Sequence, residues 1–67
     1  MRLIVNGQHR DIAEHATVAD LVGEMAPDAA RGIAVAVNAE VVPRAEWAGT
    51  ALRDEDSVEV LTAVQGG

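Results

Sequence analysis

Two short candidate strands separated by an Asn-Gly pair open the chain, and they constrain its fold more than any other feature. Residues 2–6 are rich in aliphatic side chains, residues 8–12 form the second candidate, and Asn6-Gly7 lies at the junction. An Asn-Gly pair accepts the positive φ angles that a two-residue hairpin turn requires. The sequence therefore predicts an antiparallel hairpin at the start of the fold.

A short amphipathic helix is predicted next. Thr17 is suited to cap a helix through its hydroxyl group, and Asp20 occupies the acidic position of a capping box. Aliphatic residues then recur at helical spacing on one face; they are Val18, Leu21, Val22 and Met25. Pro27 disfavours helical geometry in the residue before it, so we expect the helix to cover residues 18–26.

Three further segments are predicted as strands, and they cover residues 33–38, 41–42 and 58–64. Pro43 restricts the second of them to a short or edge position because proline has no N–H to donate. Residues 44–52 are expected to be irregular or a short helix, and residues 54–57 a polar turn. The helix lies in the connection that leads from the hairpin to the third strand, which favours a crossover. The predicted fold is therefore α+β: a β-grasp domain with a mixed sheet of four to five strands packed on one main helix.

Side-chain alternation predicts which faces of the first and last strands are buried. The residues assigned to the core are Leu3, Val5, Val58 and Val60. Ile4 and Leu61 then remain on the outer face, where two neighbouring aliphatic side chains indicate a surface for a partner. Isolated exposed aliphatic residues are also normal in proteins, so alternation alone leaves both interpretations open.

Composition argues against several classes of function. Eleven acidic and five basic residues give a net charge of −6, which disfavours nucleic-acid binding. No apolar run approaches membrane-spanning length, and Asn6-Gly7 interrupts the first one too early for a secretory signal. The chain has no cysteine, and neither His9 nor His15 has a partner at metal-ligand spacing. We expect a cytoplasmic protein that is monomeric alone, binds no metal or cofactor and is not itself an enzyme.

The printed sequence ends in Gln65-Gly66-Gly67, which follows directly on the last predicted strand. We expect residues 1–64 to form the domain and residues 65–67 to form a flexible tail. Glycines at an end are also common in frayed termini. However, an arm without side chains can carry the Gly67 carboxylate into a narrow active site, so this group is the candidate for covalent chemistry.

Two segments resemble a known family. Residues 37–47 (VNAEVVPRAEW) and residues 59–67 (EVLTAVQGG) closely resemble ThiS-type sulfur carriers of thiamin biosynthesis. Diglycine ends also occur in ubiquitin and in the small subunit of molybdopterin synthase, whereas the Val-Pro-Arg-x-x-Trp stretch favours the thiamin branch. The opening hairpin and the Thr-Val-x-x-Leu start of the helix agree with this resemblance. The chain departs from the family at residues 54–56, where Gly-Asp is usual before the last strand.

The resemblance implies a ubiquitin-like β-grasp fold and the role of a protein cosubstrate. A ThiF-like enzyme would use ATP and magnesium to adenylate Gly67, and a sulfur-donor protein would then supply the sulfur of a thiocarboxylate. A ThiG-like thiazole synthase would receive that sulfur for the thiazole ring of thiamin. Gln65 and Gly66 would contact these partners, while Leu61 and Ile4 are the candidates for the docking surface. The alternatives are a sulfur carrier for molybdopterin, cysteine or methionine, a ubiquitin-like protein modifier, and a structural β-grasp domain.

Overall fold

Five strands, one α-helix and one short 3₁₀ helix build the fold, and the computed structural model describes residues 1–26 and 32–62. In chain order the elements are β1 (Arg2–Val5), β2 (Gln8–Asp11), α1 (Val18–Met25), β3 (Ile33–Val37), β4 (Glu40–Val42), a 3₁₀ helix (Arg44–Gly49) and β5 (Ser57–Thr62). Each predicted element is present, with ends that differ by one or two residues. Residues 63 and 64, predicted to continue the last strand, lie outside the described residues.

The strands form one mixed sheet in the order β2-β1-β5-β3-β4. β5 pairs parallel with β1 and antiparallel with β3, and the two outer pairs are antiparallel hairpins. A parallel pair needs a crossover connection, and α1 lies in the segment that joins the two halves of the sheet. The predicted β-grasp fold is therefore confirmed. β4 is a three-residue edge strand followed by Pro43, which is the position that the proline predicted.

The helix forms for the reasons visible in its sequence. The Thr17 hydroxyl accepts from the Asp20 backbone N–H at 3.2 Å, and the Asp20 carboxylate accepts from the Thr17 N–H at 2.9 Å. This capping box satisfies two N–H groups that the first helical turn leaves without partners. Val18, Leu21 and Val22 are buried against the sheet, and Met25 is half-buried.

Alternation also assigned the core of the sheet correctly. Leu3, Val5, Val58 and Val60 are buried. Residues from outside the strands and α1 complete the core, among them Ile12, Ala16, Trp47 and Leu52. Leu52 is held in place because its N–H donates to the Ala16 carbonyl at 2.9 Å, beside an isolated bridge between Thr17 and Ala51. The segment before β5 thus covers the end of the core where α1 begins.

Two hairpin turns have the same conformation but different sequences. Asn6 and Gly7 have φ values of 51° and 82°, and Asn38 and Ala39 have values of 50° and 70°. Two successive positive φ values define a type I′ turn, which matches the twist of the strands on either side. Val37 pairs with Glu40, so the second turn has two residues, Asn38 and Ala39.

Two single substitutions, one in each turn, are expected to change stability in opposite directions. Gly7→Ala removes the glycine of the first turn, and Ala39→Gly introduces a glycine in the second. Gly7→Ala should lower the free energy of unfolding by about 1 kcal/mol, because a Cβ is disfavoured at positive φ. No atom lies within 4 Å of the added Cβ, so the cost is conformational and not a clash. Ala39→Gly should raise the free energy of unfolding by about 0.5–1 kcal/mol, reduced by the greater freedom of glycine in the unfolded chain. Urea unfolding followed by circular dichroism measures both; shifts of the same sign would contradict the assignment.

The acidic turn before β5 keeps a glycine-type backbone in spite of its sequence. Glu55 has a φ of 70°. This is the left-handed region that glycine enters without cost, and Glu55 lies where the resembled family usually has Gly-Asp. The departure in sequence therefore places a non-glycine residue in a conformation that favours glycine.

Candidate functional site

The C-terminal segment continues directly from β5, the central strand of the sheet. β5 pairs with β1 on one side and with β3 on the other. Residues 63–67, which include Gln65, Gly66 and Gly67, lie outside the described residues. The described part of the chain therefore defines the anchor of that segment, which is the end of β5 at Leu61 and Thr62.

Asn6, the first residue of the β1–β2 turn, fastens this end of β5. Its Nδ2 donates to the Val60 carbonyl oxygen at 3.2 Å, and its Oδ1 accepts from the Val60 N–H at 2.8 Å. The Asn6 backbone N–H donates to the Val58 carbonyl oxygen at 2.9 Å. The side-chain amide thus pairs with Val60 as one more residue of β1 would. We call these two side-chain hydrogen bonds the amide clamp.

Asn38, at the same position of the other turn, fastens the beginning of β5. Its Oδ1 accepts from the Ser57 N–H at 3.0 Å, and its Nδ2 donates to the Asp56 carboxylate at 3.0 Å. These contacts give Asn38 a structural role. The two asparagines therefore hold opposite ends and opposite edges of the same strand.

The acidic turn at residues 54–56 is a structural feature. Asp54 Oδ1 accepts from the Arg2 N–H at 2.7 Å, and Asp56 Oδ2 accepts from the Arg53 N–H at 2.8 Å. These carboxylates stabilise the backbone at the entrance to β5. Within residues 1–26 and 32–62, no three His, Asp or Glu side chains lie together in a way that could hold a metal ion.

The two histidines are surface residues. Both side chains are exposed, and His9 Nδ1 accepts from Arg2 Nε at 3.1 Å. Among the helices of the described ranges, none combines the length and the apolar character needed to cross a membrane.

Ile4 and Leu61 lie on the face of the sheet that is opposite to the helix. Leu61 is 62% exposed and Ile4 is half-buried, so neither is enclosed in the core. They do not form one continuous patch, however. Ile4 pairs with Ser57, and Leu61 lies four residues farther along β5, about 13 Å away at the usual rise per strand residue. The role of Ile4 and Leu61 in docking stays a prediction. The strand residue paired with Leu61 belongs to β3 and not to β1.

Leu61 instead lines an open groove of about 310 Å³ on the outer face. It pairs with Ala34 of β3, and Ala36 pairs in turn with Val41 of β4. The alanines leave a shallow floor between two exposed aliphatic side chains, Leu61 and Val41, the latter 72% exposed. Glu59 lies across from Ala36 and contributes the negative charge of the groove.

Sequence analysis missed Val41 as a member of this surface. The residue was assigned to a short strand without a face, because a two-residue segment carries no alternation to interpret. Trp47 supplies the missing signal: its Nε1 donates to the Val42 carbonyl oxygen at 2.9 Å, and Val42 is half-buried. Since Val42 faces inward, its neighbour Val41 must face outward.

The sequence matches a known protein family over nearly its whole length. Residues 3–67 match the model of the ThiS family. The chain belongs to the ThiS family. The resemblance carried by residues 37–47 and 59–67 is therefore confirmed.

Relatives and solved structures of this family agree with the β-grasp fold. The sulfur carrier protein ThiS of Escherichia coli K12 is 31% identical over 67 residues, with all of both chains covered. A crystal structure of the thiamine biosynthesis protein ThiS from Geobacter metallireducens superposes with a TM-score of 0.83 at 33% identity, also over the whole of both chains. A solution structure from the same organism gives a TM-score of 0.83 at 35% identity and is covered over 88% of its length.

A longer relative is similar over a part of its length only. A thiazole synthase of Paramagnetospirillum magneticum is 37% identical over all 67 residues of this chain. The chain spans 20% of that relative, so the larger protein contains one segment similar to this ThiS-family chain.

Proposed function

We propose that this ThiS-family chain is a sulfur carrier of thiamin biosynthesis that acts in the cytoplasm as a protein cosubstrate and not as an enzyme. Similarity to a sulfur carrier protein ThiS over the full length of both chains is the observation that carries the proposal. The proposed reactive group is the carboxylate of Gly67. Gly66, the residue before it, also has no side chain.

Activation is needed because a carboxylate is a poor electrophile. A ThiF-like enzyme with ATP and magnesium would form a bond between a Gly67 carboxylate oxygen and the α-phosphorus, releasing pyrophosphate. Magnesium typically binds through nucleotide phosphates, so this chain needs no metal site of its own. A persulfide held by a donor protein would then attack the acyl carbon and expel AMP, and a thiol would cleave the S–S bond of the resulting acyl disulfide to release the thiocarboxylate. The chain has no cysteine, so sulfur carried in acyl form belongs at the terminal carboxylate.

The groove beside Leu61 supports a delivery mechanism with separate docking and reaction sites. A partner that covers Leu61 and Val41 would hold the sheet, while the segment that follows Thr62 reaches the active site. Five residues beyond Thr62 span at most about 17 Å when extended. The docking surface and the reaction centre of each partner therefore have to lie within that distance of each other.

Thiazole synthase is the proposed acceptor of the sulfur. The relative named thiazole synthase contains a segment similar to this chain, which supports a ThiG-like enzyme as a partner. In a protein of that kind the carrier-like segment is covalently joined to the remaining sequence. The two parts therefore meet at a high effective concentration, as in other tethered pairs. We propose that the separate chain reaches the same kind of enzyme by docking through its outer face.

Intact mass spectrometry tests this function. The chain is incubated with a ThiF-like activating enzyme, ATP, magnesium and a sulfur-donor protein, and the expected product carries sulfur in place of one carboxylate oxygen. Sulfur transfer from this product to thiazole synthase, and not to the large subunit of molybdopterin synthase, assigns the pathway. If an activating enzyme that modifies Escherichia coli ThiS leaves this chain unchanged, the proposal is wrong. Conjugates with protein lysines would indicate a ubiquitin-like modifier instead.

Charged substitutions in the groove are expected to weaken docking without unfolding the domain. Leu61→Asp and Val41→Asp should each raise the KM of the activating enzyme for this chain by about tenfold or more, since truncated interface anchors commonly cost over 1 kcal/mol. Both side chains are exposed, so the free energy of unfolding should change little. Ala48→Asp, on the exposed surface of the 3₁₀ helix, is the matched control. An equal rise in KM for all three variants would show that charge alone, and not the groove, determines the effect.

A further inference from the structure

The Asn6-Gly7 turn combines a reactive sequence with a structural task. The Asn6 side chain is exposed at the turn, yet both ends of its amide are engaged in the amide clamp with Val60. Gly7 has no side chain, and the space where a Cβ would lie is free of other atoms within 4 Å. We propose that Asn6 is a site of spontaneous deamidation and that the amide clamp controls its rate.

The reaction needs only water and the neighbouring backbone. After losing its proton, the Gly7 nitrogen attacks Cγ of Asn6, and the new N–Cγ bond closes a succinimide ring while Nδ2 takes up a proton and leaves as ammonia. Water then adds to one of the two ring carbonyls and the C–N bond at that carbonyl breaks, which gives aspartate or isoaspartate. A side chain on the residue after asparagine hinders the attack, so glycine at position 7 is the most permissive neighbour.

The amide clamp opposes this reaction in the folded state. As long as Nδ2 and Oδ1 are held on the Val60 backbone, the side chain cannot turn toward the Gly7 nitrogen. Deamidation therefore proceeds from molecules in which the clamp has opened. Its rate in the folded protein should lie below that of the unfolded chain.

The second turn supplies an internal comparison. Asn38 has the same φ sign and position as Asn6, and its side-chain amide likewise bonds to β5 through Ser57 and Asp56. The residue that follows it is Ala39, whose methyl group hinders attack on Cγ. The two sites therefore differ mainly in the residue after asparagine.

Deamidation would change how the end of β5 is held. Aspartate has no Nδ2–H, so the Val60 carbonyl oxygen loses its donor and faces a carboxylate oxygen instead. Isoaspartate adds a carbon to the main chain, which does not fit a two-residue turn. Both products remove the donor half of the amide clamp directly before Leu61 and Thr62, where the C-terminal segment begins.

Reciprocal glycine variants test the modification site. The folded full-length chain is kept at mildly alkaline pH and physiological temperature, and peptide mapping follows the mass gain of about 1 Da for an amide converted to an acid. We expect Asn6 to react and Asn38 to stay intact in the wild type. Gly7→Ala should suppress the reaction at Asn6, and Ala39→Gly should create it at Asn38. Equal rates at the two asparagines in the wild type, or no reaction at Asn6 while the urea-unfolded chain reacts there, would overturn the proposal.

Hydrogen exchange tests the effect on β5. The deamidated fraction, which carries one more negative charge, is separated by anion exchange and compared with the intact chain. We expect amide exchange at Leu61 and Thr62 to be about tenfold faster, as for the loss of one partly buried hydrogen bond. Unchanged exchange there would show that the modification does not open the strand. Neither readout depends on sulfur transfer, so a failure here is distinct from a failure of the proposed function.

Discussion

Removal of Gly67 is expected to abolish sulfur loading. A variant that ends at Gly66 keeps a terminal carboxylate, but each residue contributes at most about 3.5 Å of reach. A displacement of 1 Å from the productive geometry can lower a reaction rate by about 100-fold. Under the proposed function, loss of one residue should leave the carboxylate too far from the nucleotide in the activating enzyme. Intact mass after incubation with the activating enzyme, ATP, magnesium and sulfur donor should show no sulfur-containing product.

Gly67→Ala separates reach from bulk. This variant has the full length and a terminal carboxylate, and it adds one methyl group. We expect sulfur loading to be slower than in the full chain but still measurable. The variant keeps the length that the reaction needs, whereas its Cβ crowds a narrow active site. Docking should be unchanged in both variants, since Leu61 and Val41 remain. Loading of the shortened variant at the rate of the full chain would show that Gly67 is not the reacting residue.

Trp47→Ala is expected to remove a large part of the stability of the fold. Trp47 is the single aromatic residue of the chain and is only 6% exposed. Truncating a buried tryptophan to alanine typically costs about 3–5 kcal/mol. At about 0.05–0.15 kcal/mol per residue, a domain of this size has a total stability of about 3–10 kcal/mol. The loss is thus a large part of the whole, and urea unfolding followed by circular dichroism should show a small or absent transition.

Two further variants separate packing from hydrogen bonding and exposure. Trp47→Phe keeps most of the buried ring but removes the Nε1–H donor that binds the Val42 carbonyl oxygen, so we expect a loss of about 1–2 kcal/mol. Leu61→Ala removes a large aliphatic side chain from the exposed groove and should change stability by less than about 0.5 kcal/mol. A loss for Leu61→Ala equal to that for Trp47→Ala would mean that Leu61 is buried in solution.

The sequence predicted those parts of the fold that depend on interactions between residues close together in the chain. The Asn6-Gly7 pair favours positive φ at both positions, and the hairpin forms there. Thr17 and Asp20 satisfy each other's N–H groups, and the helix begins there. Strong alternation separated Val58 and Val60 from the outer face, because each strand exposes its two sides with a strict period of two.

Contacts between distant segments were not accessible in the same way. The separation of Ile4 from Leu61 depends on the register of β1 against β5, and alternation gives the face of a residue but not its position along a neighbouring strand. Likewise, the hydrogen bond from the Leu52 N–H to the Ala16 carbonyl oxygen joins two irregular segments. Neither segment has a repeating pattern of apolar residues from which the contact could be predicted. Val41 was missed because β4 is too short to alternate. The groove beside Leu61 combines residues from three strands, so only the paired sheet reveals it.

The central position of β5 determines how the domain resists mechanical force. Under the proposed function, an enzyme that binds the segment after Thr62 would pull along this strand. Because β5 is bonded to β1 and β3 on its two edges, such a pull acts in shear on many hydrogen bonds together, whereas an edge strand would be peeled off one bond at a time. Asn6 and Asn38 add further bonds at the two ends of the loaded strand. A pull on the C-terminal end of β5 therefore meets more resistance than a pull on the end of an edge strand would.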